Sequence, residues 1–267
     1  MKIAGSVVLL TGASDGIGAA CAGVLRERGA KLALTGRSQS KLAAVSNPGD
    51  LSIAADLTTP GCAEMLVRRT VEFFGRIDIL INNAGWGIYW PVAASPEPET
   101  RRMFDVNFFA PLALIRAALP HMRAQRSGTI VNIGSIAGSV ALPWIPLYSA
   151  SKSALAMLTA GLRMELAGTG VHPMLVAPGY VLTDFQAHSA GIAPPERVVG
   201  DKRFAISPSA CARDIVRGIE HGSRVVMSPR WGWLLVAMHR LAPRAVEHHL
   251  LRLQHSGGRL TNRVTGN

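Results

Sequence analysis

An apolar run, a glycine-rich turn and a helical pattern follow one another near the start of this chain and constrain its fold. Residues 7–10 are aliphatic and lead into Thr-Gly-Ala-Ser-Asp-Gly-Ile-Gly at 11–18, after which a helical periodicity begins. Gly12 permits a tight turn, Gly16 lets the backbone approach a phosphate, and Gly18 allows the helix to pack closely on the strand. The segment predicts a strand–turn–helix unit whose helix start binds a pyrophosphate, with an ordinary glycine turn as the alternative.

The second predicted strand, residues 31–35, closes a β-α-β unit and leads into Gly36-Arg37-Ser38. Dinucleotide-binding folds carry an acidic side chain here for the ribose of NAD, or an arginine for the 2′-phosphate of NADP. Arg37 supplies a planar guanidinium that suits a phosphate, and no acid stands beside it. This predicts NADP(H) rather than NAD as the cofactor. A solvated Arg37 is the alternative, because Asp15 in the glycine turn would repel a phosphate.

Apolar runs alternate with helical patterns along most of the remaining chain. Strands are predicted at 51–55, 77–81, 129–133, 171–176 and 224–227, and helices at 60–74, 98–126, 147–167 and from 207 onward. The chain is therefore predicted to be an α/β protein, a single-domain Rossmann fold with a doubly wound, seven-stranded parallel sheet and helices on both faces. Pro60 is expected in the first turn of its helix, and Pro111 is expected to bend the long helix that contains it.

Residues 1–228 are predicted to form this domain, with residues 184–206 as an irregular loop that closes over substrate. Residues 229–255 form an apolar and basic C-terminal extension, and residues 256–267 are expected to be disordered. The apolar part of the extension is far shorter than the roughly 20 residues that span a bilayer. It can cap the pocket, pack on a partner subunit or lie on a membrane surface.

The formal charge of +11 is concentrated in the C-terminal quarter of the chain, because from Asp201 onward there are eleven Lys or Arg against four Asp or Glu. No nucleic-acid module accompanies this charge, so an anionic cofactor or a membrane surface is favoured over a nucleic acid as partner. Three cysteines without pairing or metal-ligand spacing predict a reducing cytoplasm and no metal site. The N-terminus lacks the pattern of a signal peptide. The predicted location is the cytoplasm, with membrane association left open.

Tyr148 and Lys152 lie four residues apart in a predicted helix, so their side chains share one face. A free phenol has a pKa of about 10, and a neighbouring ammonium is expected to lower it. Tyr148 is therefore a candidate general acid or base. Ser135 follows the strand at 129–133, at the sheet edge where ligands bind, and its hydroxyl can orient a substrate oxygen. An exposed amphipathic helix and a strand-end serine are the alternatives.

Four motifs occur together and in one order: Thr11-Gly-x-x-x-Gly-x-Gly18, Asn82-Asn-Ala-Gly85, Ser135, and Tyr148-x-x-x-Lys152. In this combination the chain resembles the short-chain dehydrogenases/reductases over roughly residues 6–224. The resemblance implies a Rossmann fold, an NAD(P) cofactor, and hydride transfer between that cofactor and a carbonyl or alcohol. It also implies that the catalytic residues are Asn107, Ser135, Tyr148 and Lys152.

By this resemblance, Tyr148 exchanges a proton with the substrate oxygen, while Lys152 lowers the pKa of Tyr148 and binds the nicotinamide ribose. Asn107 holds a water molecule of a proton relay; a helix residue satisfied by a backbone group is its alternative role. The resemblance implies a larger set of cofactor-binding residues: Gly12, Ser14, Gly16, Ile17, Gly18, Arg37, Asp56, Leu57, Asn83, Ala84, Gly85, Tyr148, Lys152, Pro178, Gly179, Val181 and Thr183.

The end of the chain departs from the acyl-carrier-protein reductases of the family, because it lacks a Val-Asp-Gly-Gly ending. It resembles more closely the NADP-preferring branches that handle lipids or steroids. Apolar residues in segments expected near the nicotinamide favour an apolar ketone or secondary alcohol as substrate, with packing under loops as the alternative. These residues are Trp86, Ile88, Tyr89, Trp90, Leu142, Trp144 and Ile145.

The main alternative function is a non-catalytic, NADP-binding redox sensor whose basic C-terminus binds a partner or a membrane. The four candidate catalytic residues argue against it, because a sensor needs no proton donor. A sugar-nucleotide epimerase shares the Tyr-x-x-x-Lys motif, but its glycine spacing differs. By resemblance, the helices at 98–126 and 147–167 form the faces of a homodimer or homotetramer.

Overall fold

The protein, described by a computed structural model over residues 1–192 and 205–255, is built on one parallel sheet. Within those residues the strands are β1 (Val7–Thr11), β2 (Lys31–Gly36), β3 (Leu51–Ala54), β4 (Ile79–Asn82), β5 (Ile88–Tyr89), β6 (Gly128–Ile133), β7 (Val171–Pro178), β8 (Ala190–Gly191) and β9 (Val225–Ser228). Seven of them form the sheet, in the order β3-β2-β1-β4-β6-β7-β9. The direction of the order reverses between β1 and β4, as in a doubly wound Rossmann fold, so the predicted fold class is confirmed.

Helices cover both faces of this sheet. They are α1 (Gly16–Glu27), α2 (Gln39–Val45), α3 (Cys62–Phe74), α4 (Glu97–Phe104), α5 (Ala110–Gln125), α6 (Pro146–Glu165), α7 (Pro208–Glu220), α8 (Gly232–Leu241) and α9 (Pro243–His255). On one face α1, α2 and α7 pack on the strands, and on the other face α3, α5 and α6 do so.

Side-chain alternation along each strand supplies both of these cores. In β1, Val8 and Leu10 face α1 and α7, whereas Leu9 faces α3 and α5. All three side chains are fully buried. Because neither face of the sheet meets water, the strands need no polar positions, which explains the uninterrupted aliphatic runs in the sequence.

The predicted helix at 98–126 is interrupted. α4 ends at Phe104, a π-helical turn spans Asp105–Phe109, and the N–H of Ala110 donates to the carbonyl oxygen of Asp105. Pro111 lies in the first turn of α5, where its missing N–H is tolerated. The interruption therefore precedes Pro111, whereas the sequence predicted a bend at the proline itself.

This helical run, Glu97–Gln125, is long and apolar enough by length and composition to span a membrane, and it is the one such run in the part of the chain that the structure describes. Part of its apolar surface is used by the fold, since 39% of the apolar window is buried. Leu114, Ile115, Ala118 and Met122 are buried against the sheet and α3. Packing in the core thus accounts for these four residues.

α3 begins later than predicted. Gly61 stands before it with a φ of 76°, so Pro60 lies outside the helix and not in its first turn. Gly75 ends the helix with a φ of 80°, as predicted from the sequence.

A second, two-stranded parallel sheet joins the segment after β4 to the loop after β7. β5 pairs with β8, with Ile88 opposite Ala190 and Tyr89 opposite Gly191. Strands of two residues have no readable periodicity, so the sequence did not predict them. The predicted substrate loop 184–206 is therefore held in part by strand pairing, and its residues 193–204 lie outside the described residues.

The C-terminal extension folds into α8 and α9, which pack on the connection between β6 and α6. Val236, Val246 and Leu250 are buried together with Val140 and Met227. One face of the extension thus contacts Leu142 and Trp144, two of the residues that the sequence suggested for the substrate pocket. The predicted disordered tail, residues 256–267, lies outside the described residues.

Candidate active site

The glycine turn between β1 and α1 packs so closely on neighbouring backbone that larger side chains would not fit in it. Gly12 has a φ of 63°, and a Cβ placed on it would lie 2.9 Å from the Cα of Ala84. A Cβ on Gly18 would lie 2.0 Å from the carbonyl oxygen of Gly12. Asp15 caps α1 by accepting a hydrogen bond from the N–H of Gly16 at 2.7 Å. The turn and the helix start therefore fit the pyrophosphate of a dinucleotide.

Asn83 ties the end of β4 to this turn. Its Nδ2 donates to the carbonyl oxygens of Thr11 and Gly12, at 2.9 and 3.1 Å. The backbone N–H groups of Asn83 and Ala84 both donate to the Thr11 hydroxyl at 3.0 Å. Asn83 therefore shapes the cradle, and Thr11, which was not among the predicted site residues, holds both segments together. The position of Thr11, the last residue of the strand before the glycine turn, could have identified it as a site residue.

α6 carries two of the predicted catalytic residues at the end of β6. Tyr148 and Lys152 are 9% and 3% exposed, and the Lys152 Nζ lies 5.7 Å from the centroid of the Tyr148 ring. The hydroxyl of Ser135, directly after β6, hydrogen-bonds with Tyr148 and accepts from the N–H of Ala137 at 3.1 Å. The structure thus brings Tyr148, Ser135 and Lys152 together.

The protonation of Tyr148 differs from the expectation. Burial raises the pKa of Tyr148, and the hydrogen bond with Ser135 opposes this shift only in part. The sequence predicted that Lys152 would lower this pKa. Lys152 instead places its Nζ against the ring and donates to the carbonyl oxygen of Ile133 at 2.9 Å. Burial also lowers the pKa of Lys152 to about 8, which weakens its charge.

Asn107 lies in the π-helical turn and is fully buried. Its Oδ1 accepts from the N–H of Trp86 at 2.9 Å, and its Nδ2 donates to the Trp86 carbonyl at 2.8 Å and to the Ser151 hydroxyl at 3.0 Å. These contacts agree with the alternative role, a side chain satisfied by backbone groups. The Asn107 Oδ1 and the Lys152 Nζ nevertheless lie 3.5 and 3.4 Å from the Cβ position of Gly85, so both border one small gap.

Positive charge gathers where β2 ends. Arg37 is exposed directly after the strand, and Lys41 in α2 pairs with Asp15 at 3.4 Å. This pair offsets the carboxylate that was expected to repel a phosphate. Lys41 was not among the predicted site residues. Its spacing of four residues from Arg37, at a helix start, is the signal that could have found it.

Asp56 follows β3 in an ordered turn. Its carboxylate accepts from the N–H of Thr58 at 3.0 Å and from the Thr58 hydroxyl at 2.8 Å. These two hydrogen bonds, followed by the charges of Arg102 and Arg37, lower the pKa of Asp56. Leu57 packs against the core beneath α3. Asp56, one of the predicted cofactor-binding residues, therefore lies within electrostatic reach of Arg37.

The segment after β7 reaches back to the glycine turn. Pro178 ends the strand, the N–H of Gly179 pairs with β9 at 2.7 Å, and Val181 is buried. The γ-methyl of Thr183 lies 3.0 Å from the Cβ position of Gly16. Residues that the sequence places far apart thus border one cleft at the carboxyl ends of the strands.

An apolar wall surrounds Tyr148. All seven residues that the sequence suggested for the substrate pocket belong to the same cluster as Tyr148: Trp86, Ile88, Tyr89, Trp90, Leu142, Trp144 and Ile145. Phe185, from the loop after β7, joins them with its ring centroid 5.6 Å from that of Tyr148. No local pattern identifies Phe185, because only the folding of the loop brings it to the site.

No group of three or more His, Cys, Asp or Glu side chains is placed to hold a metal ion among residues 1–192 and 205–255. The three cysteines are buried free thiols. Burial raises the pKa of Cys211 to about 11, which keeps that thiol protonated.

Comparison with known proteins agrees with this geometry. The sequence family described as short chain dehydrogenase matches residues 6–191. The chain is 35% identical over 258 residues to the ketoacyl reductase HetN of a Nostoc species, covering 92% of this chain and 88% of that protein. It is 35% identical over 259 residues to 11-beta-hydroxysteroid dehydrogenase 1A of Arabidopsis thaliana, covering 91% and 74%.

Among solved structures, a short chain dehydrogenase from Burkholderia cenocepacia in complex with NADP is similar, with a TM-score of 0.78 and 30% identity. The alignment covers 94% of this chain and 99% of that one. The chain therefore belongs to the short-chain dehydrogenase/reductase family and is an NAD(P)-dependent oxidoreductase.

Proposed function

We propose that the protein transfers hydride between NADP(H) and an apolar ketone or secondary alcohol, with Tyr148 as general acid and base. The observation that carries the proposal is the grouping of Tyr148, Ser135 and Lys152 between the glycine turn and an apolar wall. When bound, the reduced dinucleotide supplies the hydride. The side chains of the protein must then orient the carbonyl, deliver a proton and exclude water.

Tyr148 is suited to the proton-donating role. Because burial raises its pKa, the phenol is protonated at neutral pH and can donate to the negative charge that develops on a carbonyl oxygen. The hydroxyl of Ser135, bonded to Tyr148, is suited to orient the same oxygen. This protonation state supports the reductive direction, and oxidation would use the same groups in reverse.

The cradle supports a dinucleotide, and its charges support NADP in particular. Arg37 is the proposed partner of the 2′-phosphate, with Lys41 one helical turn away and no acidic side chain directly after β2. Lys152 is the proposed partner of the ribose hydroxyls. Other residues proposed to hold the cofactor are Gly12, Ser14, Gly16, Ile17, Gly18, Asp56, Leu57, Asn83, Ala84, Gly85, Pro178, Gly179, Val181 and Thr183.

The proposed substrate class follows from the wall around Tyr148. Burying apolar ligand surface against aromatic and aliphatic side chains gains about 25 cal/mol per Å². Polar sugars would lose hydration there without equivalent hydrogen bonds. The relatives described as a ketoacyl reductase and a hydroxysteroid dehydrogenase support a carbonyl or alcohol on an apolar frame.

Substitution of Tyr148 tests the proposal. Tyr148→Phe removes only the hydroxyl, so kcat/KM for NADPH-dependent reduction of apolar ketones should fall by at least about 100-fold. NADPH binding, followed by fluorescence titration, should change little and serves as the folding control. Turnover within about threefold of the unsubstituted protein would reject Tyr148 as proton donor. Failure of the unsubstituted protein to oxidise NADPH with any of a panel of ketones would favour the redox-sensor alternative.

Exposed apolar side chains support further contacts. Phe109, in the turn before α5, is 54% exposed, and Met157 and Met164 on α6 are 75% and 73% exposed. This exposure supports the proposed homodimer or homotetramer through this part of the surface. The exposed face of α8 supports peripheral contact with a membrane. Buried free thiols agree with the proposed cytoplasmic location.

A further inference from the structure

The chain has three tyrosines, and all of them lie around the candidate active site. Tyr148 is in α6, Tyr89 is in β5, and Tyr180 follows β7. Tyr89 is 8% exposed and packs in the same apolar cluster as Tyr148. A phenylalanine would fill that volume without a hydroxyl that needs a partner, so the second buried phenol beside Tyr148 requires a reason.

Gln186 links the two additional tyrosines. The hydroxyl of Tyr180 donates to the Gln186 Oε1 at 3.3 Å, and the Gln186 side chain lies close enough to Tyr89 to oppose the rise in the pKa of its phenol. Burial raises the pKa of Tyr89 to about 12, so its hydroxyl stays protonated at neutral pH. Tyr89, Gln186 and Tyr180 thus form a polar cluster inside an otherwise apolar wall.

The backbone holds this cluster in register. Tyr89 lies opposite Gly191 in the two-stranded sheet, and Gly191 has a φ of 102°, with its Cβ position 2.6 Å from the Tyr89 carbonyl oxygen. The indole N–H of Trp86 donates to the carbonyl oxygen of His188 at 2.9 Å. These contacts fix the loop that carries Gln186 against the strand that carries Tyr89. The polar cluster is therefore preorganised beside the candidate proton donor.

We propose that Tyr89, oriented by Gln186, binds a second oxygen atom of the substrate. The substrate class is then an apolar ketone that bears a second carbonyl oxygen a few bonds from the reacting one, as in a β-keto ester. The proposal rests on the function proposed above. A site built to hydrogen-bond a substrate oxygen rejects analogues that lack it, because the buried partner is left unpaired.

Two probes of equal chain length separate the effect of the second oxygen. Ethyl butyrylacetate has a ketone and an ester carbonyl, and propyl pentyl ketone has the same ketone position without the ester. The Kd of each compound for the protein is measured without reduced nucleotide, by quenching of tryptophan fluorescence, and kcat/KM is measured with NADPH. For each protein variant, the value for ethyl butyrylacetate is divided by the value for propyl pentyl ketone. Comparing this ratio between variants cancels the intrinsic difference in reactivity between the two compounds.

Tyr89→Phe should raise the Kd and lower the kcat/KM of ethyl butyrylacetate, each by about tenfold more than for propyl pentyl ketone. The reason is that only the ester carbonyl uses the Tyr89 hydroxyl. Gln186→Met, which cannot orient Tyr89, should shift the ratio in the same direction. Tyr180→Phe leaves Tyr89 and Gln186 in place and should shift it by less than about threefold.

Equal losses on both compounds in Tyr89→Phe, or no loss on either, would overturn the proposal and leave the polar cluster with a packing role. It is possible to separate this proposal from the proposed reaction. If neither compound is reduced, but the protein binds the keto ester more tightly than the ketone and Tyr89→Phe abolishes that preference, the proposed reaction is wrong and the role of Tyr89 stands. If the ratio of the two Kd values is the same in Tyr89→Phe as in the unsubstituted protein, Tyr89 does not bind the second oxygen, whatever the turnover.

Discussion

The site around Tyr148 and the outer face of α8 are opposites in polarity. In the site, polar side chains are buried: Lys152 is 3% exposed, Asn107 is fully buried, and both have hydrogen-bond partners. On α8, Leu234 and Leu241 are 64% and 87% exposed although they are apolar. Each region therefore holds side chains in the environment that is less favourable for them.

Only the first arrangement lowers the stability of the folded chain, because a buried charge loses its hydration on folding, whereas an exposed leucine meets water in the unfolded chain as well. Folding alone explains neither. The proposed function gives the buried polar groups a role, since a dry site strengthens the interactions of a proton donor. The exposed apolar groups gain theirs only when something outside the chain covers them. Substitutions in the site should therefore change activity, whereas substitutions of the exposed residues of α8 should change only contacts outside the chain.

Removing the buried charge should have the largest effect. Lys152→Met is expected to lower kcat/KM with NADPH by about a thousandfold, because the proposed partner of the ribose beside Tyr148 is lost. Stopped-flow and steady-state NADPH oxidation measure it. Lys41→Met, which removes an exposed lysine of the same cleft, is the matched control and should cost far less. Activity of Lys152→Met within about tenfold of the parent would mean that the buried lysine is structural.

The same lysine should make stability depend on pH. Its pKa is about 8 in the folded state against 10.5 for an unperturbed lysine. Below about pH 8 it is charged in both states, so the full cost of burying the charge lowers the free energy of unfolding. As the pH rises from about 8 to 10.5, the folded state loses its proton first and this cost disappears.

Without nucleotide, the free energy of unfolding of the unsubstituted protein should therefore rise, relative to that of Lys152→Met, by on the order of 3 kcal/mol over that pH range. Urea unfolding followed by tryptophan fluorescence at stepped pH measures the difference between the two proteins. Taking the difference cancels the titration of other groups, including Tyr148. A difference that stays flat with pH would show that the lysine is not buried as a charge.

After β2, at the side of the sheet away from α8, an exposed charge should matter only for the cofactor. Arg37→Ala is expected to raise the KM for NADPH about tenfold, because a charge-assisted contact with the 2′-phosphate is lost. The KM for NADH should change little, and its kinetics are the internal control. Equal changes for the two nucleotides would remove Arg37 from phosphate recognition.

The smallest effect is expected for membrane binding by α8. Two aliphatic residues of this helix, one exposed and one buried, allow a matched comparison. Leu234→Ala should weaken sedimentation with vesicles of phosphatidylcholine and phosphatidylglycerol about fivefold, because less apolar area enters the interface. Its thermal stability and its turnover of a water-soluble ketone should stay at parental values. Val236, 3% exposed, is the matched residue, and Val236→Ala should instead lower the free energy of unfolding by about 1 kcal/mol. Self-association that depends on Leu234, without vesicle binding, would assign this face to a second copy.

The sequence predicted the parts that depend on local pattern. Uninterrupted aliphatic strands, the glycine turn and the capping glycine at Gly75 were read correctly, because periodicity and backbone freedom are properties of neighbouring residues. The sequence did not predict elements that are very short or that depend on contacts between distant parts of the chain. The pairing of β5 with β8, the π-helical turn before Pro111 and the place of Phe185 depend on contacts between distant segments.

By itself, the sequence determined the fold class, and residue type and spacing sufficed to predict the glycine turn, Ser135, Tyr148 and Lys152 as parts of a site. Only the tertiary structure decided how those groups ionise. Burial raises the pKa of Tyr148 and lowers that of Lys152, whereas a helix in water would let the ammonium acidify the phenol. The physical reason is desolvation, which depends on everything that packs around a side chain and on nothing in its spacing along the chain.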